Sequence, residues 1–78
     1  MEYVKVTFTG TNGTAIDRGV IIDDQASGQT DQTLMVERAH HEFTLAAPYD
    51  FTPSVQTLNV VNTSSGDPMI IAFTQLTT

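Results

Sequence analysis

The chain alternates apolar and polar residues in short runs, which is the pattern of half-buried β-strands. Between Tyr3 and Thr9, three apolar side chains, Val4, Val6 and Phe8, occupy alternate positions. A period of two places alternate side chains on opposite faces of a sheet, so this run predicts one face in a core and the other in water. Further strands are predicted at Val20–Asp23, Thr33–Glu37, His40–Ala46, Val55–Asn62 and Met69–Leu76.

Turn-forming residues separate these runs at a spacing of roughly ten residues. The predicted connections are an Asn12-Gly13 turn, a polar loop over Asp24–Gln32, a short hairpin turn at Glu37–Ala39, a bend between Pro48 and Pro53, and a turn at Ser64–Pro68. No segment has a helical period. The pattern predicts an all-β fold, a small antiparallel β-sandwich of about six to seven strands with Greek-key-like connections. At 78 residues the chain is expected to form one domain over 1–78.

The composition excludes several classes of function. The net charge is −6, and the only cations are Lys5, Arg18 and Arg38. So few cations cannot neutralise a row of phosphates, which argues against nucleic acid and against an anionic membrane surface. No apolar run reaches membrane-spanning length, so membrane insertion is not expected. Without cysteine there is no disulfide and no thiolate metal site, and the compartment stays unassigned.

Two groups of polar residues are the candidates for metal chemistry. In a regular strand, His40 and His41 point to opposite faces, so they cannot chelate one ion together. His41 is in phase with apolar positions and is expected at the edge of the core, bonded to a backbone carbonyl. Asp23, Asp24 and Asp31 gather carboxylates near one loop, as calcium requires, but their spacing is not that of a helix-loop-helix calcium site. They are weak candidates, and no metal or other cofactor is expected.

Aromatic residues and strand edges supply the remaining candidates. Tyr3, Tyr49 and Phe51 are a candidate aromatic surface of the kind that carbohydrate-binding modules use. No nucleophile with a neighbouring base is found, so an enzyme is not expected. The segments Tyr3–Thr9 and Met69–Leu76 have few charges and are predicted edge strands, available for strand addition or self-association.

Several short motifs resemble those of the PEGA domain, a small bacterial β-sandwich module appended to larger proteins. Val20-Ile21-Ile22-Asp23-Asp24 is similar to its apolar strand ending in Asp-Gly, and Gly28-Gln29-Thr30-Asp31 to its Gly-x-Thr-Pro loop, with Asp31 replacing proline. Ala39-His40-His41-Glu42-Phe43-Thr44-Leu45 resembles its Gly-x-His strand, with Ala39 replacing glycine. The resemblance covers residues 16–62, lacks the Pro-Glu-Gly-Ala motif, and implies an accessory, non-enzymatic module.

The sequence therefore predicts a non-catalytic β-sandwich module that acts by protein–protein association, with another protein or with itself. The alternative is a carbohydrate- or calcium-binding module. The two hypotheses differ in which surface is used, the strand edges or a cluster of aromatic or acidic side chains.

Overall fold

Eight β-strands form two four-stranded sheets in the computed structural model, which describes residues 1–76. The strands are β1 (Glu2–Thr9), β2 (Gly19–Ile22), β3 (Gln25–Gln29), β4 (Thr33–Val36), β5 (Ala39–Leu45), β6 (Phe51–Thr52), β7 (Gln56–Val60) and β8 (Met69–Gln75). The all-β sandwich predicted from the alternation is confirmed. Over these residues, no helix is long and apolar enough to cross a membrane.

The first sheet has the strand order β4-β1-β8-β6 and contains a parallel pair. β1 and β8 run side by side from Val4 opposite Met69 to Thr9 opposite Thr74. Parallel neighbours need a long connection, and here nearly the whole chain lies between them. The predicted antiparallel sandwich is thus mostly antiparallel, with this one parallel pair among the described strands, while β4 and β6 pair antiparallel as expected.

The second sheet has the strand order β3-β2-β5-β7 and is antiparallel throughout. β2 and β3 form a hairpin whose two turn residues, Asp23 and Asp24, have φ angles of 51° and 66°. Positive φ at both central positions is the geometry of a two-residue type I′ turn. The predicted loop over 24–32 is thus partly a strand. The strand was not predicted because β3 is an exposed edge strand with little apolar surface to bury, so its sequence is polar.

The connection at Glu37–Ala39 joins strands of different sheets. β4 pairs with β1 in the first sheet, whereas β5 pairs with β2 in the second. The predicted hairpin at this position is wrong, because a short polar connection also allows the chain to cross from one sheet to the other. Of the connections between the described strands, the β2–β3 turn alone stays within a sheet.

The core lies between the sheets and is built from the inward positions predicted by alternation. Val4, Val6 and Phe8 are buried on β1, and Ile71 and Phe73 are buried on β8. All four phenylalanines are in this core, completed by Val20, Ile22, Val36, Phe43, Leu45, Phe51 and Val60.

Candidate functional site

The acidic and histidine side chains near the β2–β3 turn form a hydrogen-bonded cluster. Asp23 Oδ1 accepts the backbone N–H of Glu42 at 2.9 Å, and Asp23 Oδ2 lies 2.6 Å from His41 Nδ1. His41 Nε2 lies 2.7 Å from the Glu37 carbonyl oxygen. The predicted bond from His41 to a backbone carbonyl is confirmed, and Asp23 is a second partner that the sequence did not reveal. The cluster joins the β2–β3 turn to the crossover between β4 and β5.

Both partners of His41 are hydrogen-bond acceptors, so both ring nitrogens must carry a proton to satisfy them. The hydrogen bond to Asp23 raises the pKa of His41, burial opposes this to a lesser degree, and the bond to the Glu37 carbonyl raises the pKa further. The backbone N–H of Glu42, followed by His41, lowers the pKa of Asp23. The side chain of His41 is only 13% exposed, and its protonated ring is bonded within the fold at both nitrogens.

The three candidate calcium ligands do not come together. Asp23 and Asp24 occupy the β2–β3 turn, whereas Asp31 follows the far end of β3. At about 3.3 Å per residue, the five residues of β3 separate these positions by at least roughly 13 Å. No group of three or more potential metal-ligating side chains is found over residues 1–76. His40 does not join them either, since it is exposed on the face opposite His41.

The candidate aromatic surface is also divided. Phe51 is only 5% exposed and packs edge-to-face against Phe8 and Phe73, with ring centroids 6.1 and 5.7 Å apart. It belongs to the core, so its assignment to an exposed surface is wrong. Tyr49 is 78% exposed and lies beside Phe51, opposite the end of β8. Tyr3 is half-buried at the other end of the sheet, roughly 20 Å away along the strands.

Arg18 closes the sandwich at the Tyr49 end. Its Nη1 donates to the carbonyl oxygens of Pro48 and Ala46, at 2.7 and 3.3 Å, and to Asp50 Oδ1 at 3.0 Å. Its guanidinium also lies 5.0 Å from the centroid of the Phe8 ring. The bond from Arg18 lowers the pKa of Asp50. One of the three cations is thus held inside the fold and does not serve as a surface charge.

The strand edges differ from those predicted. β1 is flanked by β4 and β8, so it is an interior strand and its predicted role as an edge is wrong. β8 is flanked by β1 along most of its length, but β6 covers its other side only at Thr74 and Gln75. The portion from Met69 to Phe73 therefore has an open edge. The prediction that Met69–Leu76 is an edge strand holds for this portion only.

Backbone groups along the open edge of β8 follow a period of two. Leu76 N–H donates to the Asp50 carbonyl at 2.7 Å on this side, and Thr74 pairs with Thr52 there. The alternation of a strand directs the backbone groups of Ala72 and Ile70 to the same side. The Ala72 carbonyl accepts the side-chain amide of Gln56, which reaches across from β7 at 2.7 Å. Among the residues that the structure describes, no such contact covers the Ile70 backbone, and its side chain, opposite Lys5 of β1, is 57% exposed on the outer face.

The strands β6, β7 and β8 contain no charged residue of their own, although Lys5 of β1 lies opposite Ile70 in the β1–β8 register. Residues 51–76 contain β6, β7 and β8 and a single charged residue, Asp67, so every other charged side chain lies in residues 1–50. The contact between Gln56 and Ala72 shows that β7 and β8 border the same side of the molecule. We call this region, formed by β6, β7 and the open edge of β8, the uncharged side.

Exposed apolar residues also occur on the uncharged side. Val55, Ile70 and Leu76 are all well exposed within it or at its margins. The charge-free run was visible in the sequence. Its position on one side of the molecule was not, because that depends on which strands are neighbours. The sequence did not identify Gln56 and Ile70 as candidate site residues for the same reason.

Comparisons with protein families, with curated proteins and with solved structures give no match to this chain.

Proposed function

We propose that this domain is a non-catalytic module that associates with another protein chain through its uncharged side. The observation that carries the proposal is the open edge of β8, bordered by β6 and β7, which like β8 contain no charged residue; Lys5 of the neighbouring β1 lies opposite Ile70. Sheet proteins commonly protect open edges with charged side chains, because an unprotected edge pairs with other strands. An uncharged edge with an exposed isoleucine beside it is suited to such pairing.

The polar clusters elsewhere support a structural role for the charged residues. Each side chain with a displaced pKa is bonded within the fold: Glu2 to Thr63, Asp23 to His41 and Glu42, and Asp50 to Arg18 and Gln75. Their titration behaviour is explained by these contacts, which join segments distant in sequence. The resemblance to the PEGA domain agrees with an accessory role, and we extend the proposal to that kind of role.

A photo-crosslinking amino acid at position 70 tests this proposal. Ile70 is well exposed, so the substitution leaves the core intact, and a matched crosslinker at Met35, 60% exposed at the opposite edge of the same sheet, is the control. We expect a covalent protein adduct from position 70 and little from position 35. No adduct from position 70, in the organism from which the chain derives, would count against the proposal.

The carbohydrate alternative depends on Tyr49, whose ring is largely exposed. A single exposed ring supplies one stacking surface for a sugar. Titration with glycans should then shift the Tyr49 ring resonances, and Tyr49→Ala should abolish binding. The calcium alternative predicts a higher Tm when calcium is added, since a ligand that binds only the folded state stabilises it.

A further inference from the structure

We propose that His41 and its two partners form a pH-dependent switch, in which protonated His41 fixes the crossover between β4 and β5 and neutral His41 releases it. The ring is bonded to Asp23 Oδ2 through Nδ1 and to the Glu37 carbonyl oxygen through Nε2. When the ring loses a proton, the bond to Glu37 breaks and the bond to Asp23 persists. The switch does not depend on the proposed function, because it involves neither β8 nor a partner chain.

The negative charge of Asp23 decides which nitrogen of neutral His41 keeps the remaining proton. The backbone N–H of Glu42 and the ring of His41 both bond to this carboxylate and lower its pKa, so it is ionised at neutral pH. A hydrogen bond to an ionised acceptor is roughly twice as strong as one to a neutral carbonyl. The proton therefore stays on Nδ1, and Nε2 loses its own.

Neutral His41 then presents a lone pair to the Glu37 carbonyl oxygen. Two acceptors 2.7 Å apart with no proton between them repel one another. Among the hydrogen bonds of residues 1–76, only that from His41 reaches this carbonyl. Glu37 is exposed, so water replaces the lost donor once the carbonyl moves away from the ring.

The crossover moves in this transition because the ring is held in place. The side chain of His41 is largely buried, and its ring packs edge-to-face against Phe43, with centroids 6.2 Å apart. The bond to Asp23 fixes the same ring from the β2–β3 turn. Rotation of the ring would give up both contacts, whereas movement of the crossover gives up neither.

The released segment is short and has fixed ends. Glu37 and Arg38 are both exposed. Val36 on one side belongs to the core, and Ala39 on the other pairs with Val60. Release is therefore confined to one end of the sandwich and leaves the core packed.

The charged groups around His41 favour its protonated form. Asp23 and Asp24 lie on the turn, Glu37 and Arg38 on the crossover, and His40 and Glu42 on β5 itself. The adjacent strands β2 (Gly19–Ile22) and β7 (Gln56–Val60) contribute no titratable side chain. The bond to Asp23 raises the pKa of His41 above 6.5, against the opposing effect of burial, so the crossover is fixed below the raised pKa and released as pH rises through it.

An NMR titration of the whole, isotope-labelled chain tests the switch. With rising pH, His41 Nε2 should shift to the position of an unprotonated nitrogen, while Nδ1 stays at that of an N–H. The carbonyl carbon of Glu37 should shift with the same midpoint, because it loses its donor. His40, on the opposite face, is the internal reference, and its titration should leave that carbon unchanged. A neutral His41 protonated at Nε2, or a Glu37 carbon that does not follow His41, overturns the proposal.

Asp23→Asn should abolish the release without removing His41. The asparagine oxygen can still accept the Glu42 N–H, and its amide group then donates to His41 Nδ1. Neutral His41 must now carry its proton on Nε2, so the Glu37 carbonyl stays bonded at high pH. His41 should titrate at a lower pH than in the wild type, and the Glu37 carbon should lose its pH-dependent shift. A shift as large as that of the wild type would contradict the switch.

Glu37→Gln is the matched control, because it removes a charge from the crossover and keeps the backbone carbonyl. The midpoint of His41 should fall slightly, and the carbonyl carbon of position 37 should still follow it. Loss of that coupled shift would assign it to the carboxylate of Glu37 and overturn the proposal. Thermal melts show whether the variants fold; if Asp23→Asn does not, the titrations of the wild type and of Glu37→Gln decide the outcome.

Discussion

His41 Nδ1 donates a hydrogen bond to Asp23 Oδ2 at 2.6 Å, while the opposite ring nitrogen of His41 donates to the carbonyl of Glu37. The two residues are 18 positions apart and belong to neighbouring strands. A neutral imidazole has only one N–H, so it can satisfy one of these acceptors and not both. The link between the β2–β3 turn and the β4–β5 crossover therefore depends on protonated His41.

The stability of the domain should fall as pH rises through the raised pKa of His41. Its pKa in the fold lies above the ordinary value of 6.5, because of the bond to Asp23, so the folded state binds the proton more tightly. The stabilisation is fully present below about 6.5 and is lost above the raised value. Urea unfolding measured across this range should show the decrease. His41→Gln should remove it, and the exposed control His40→Gln should retain it; an equal slope in all three proteins would contradict the assignment.

Asp24→Gly should stabilise the protein. Asp24 has a φ of 66° at the second turn position, where glycine adopts the backbone conformation without steric cost. The expected gain in the free energy of unfolding is about 0.5–1 kcal/mol, measured by chemical denaturation.

Asp23→Gly is the matched control at the adjacent turn position. It should destabilise the protein although its φ of 51° is also positive, because it removes the bonds to His41 and Glu42. Equal effects of the two substitutions would show that the Asp23 side chain contributes nothing beyond the turn.

Thr30→Val should destabilise the domain by about 1–3 kcal/mol. Thr30 is the buried polar residue among those described, and its hydroxyl donates to the Ile16 carbonyl and accepts the Arg18 N–H, at 2.8 and 3.0 Å. Valine has nearly the same shape but leaves both backbone groups without a partner. Thr30→Ser keeps the hydroxyl and should recover most of the loss in equilibrium denaturation; a Val variant as stable as the wild type would exclude this role.

The neighbouring aromatic residues Tyr49 and Phe51 should respond very differently to truncation. Phe51→Ala should lower the free energy of unfolding by about 3–5 kcal/mol, because it removes a ring from between Phe8 and Phe73. Tyr49→Ala should change it by only about 0.5 kcal/mol, since the ring is largely exposed. Thermal melts of the two variants compare them directly, and similar losses would contradict the observed burial.

Much of the local structure was readable from single segments. The alternation of Val4, Val6 and Phe8 predicted which face of β1 is buried, and the phase of His41 predicted its place at the edge of the core. The strand bounds of β4, β5, β7 and β8 agree with the prediction to within a residue or two at each end. Where the sequence lacked alternation, as at Gln25–Gln29, the strand was missed, because an exposed edge strand has no apolar face to reveal it.

The sequence by itself determined the secondary structure type, the inward side chains and the concentration of charge in residues 1–50, since these depend on local periodicity and composition. Only the tertiary structure decided that β1 and β8 are parallel neighbours, that β4 pairs with β1 and not with β5, and that Phe51 lies in the core. Strand order follows from packing two sheets over one apolar core, and many pairings share the same alternation. For the same reason, the partnership of Asp23 with His41 and the cover of Gln56 over Ala72 became visible only in the folded chain.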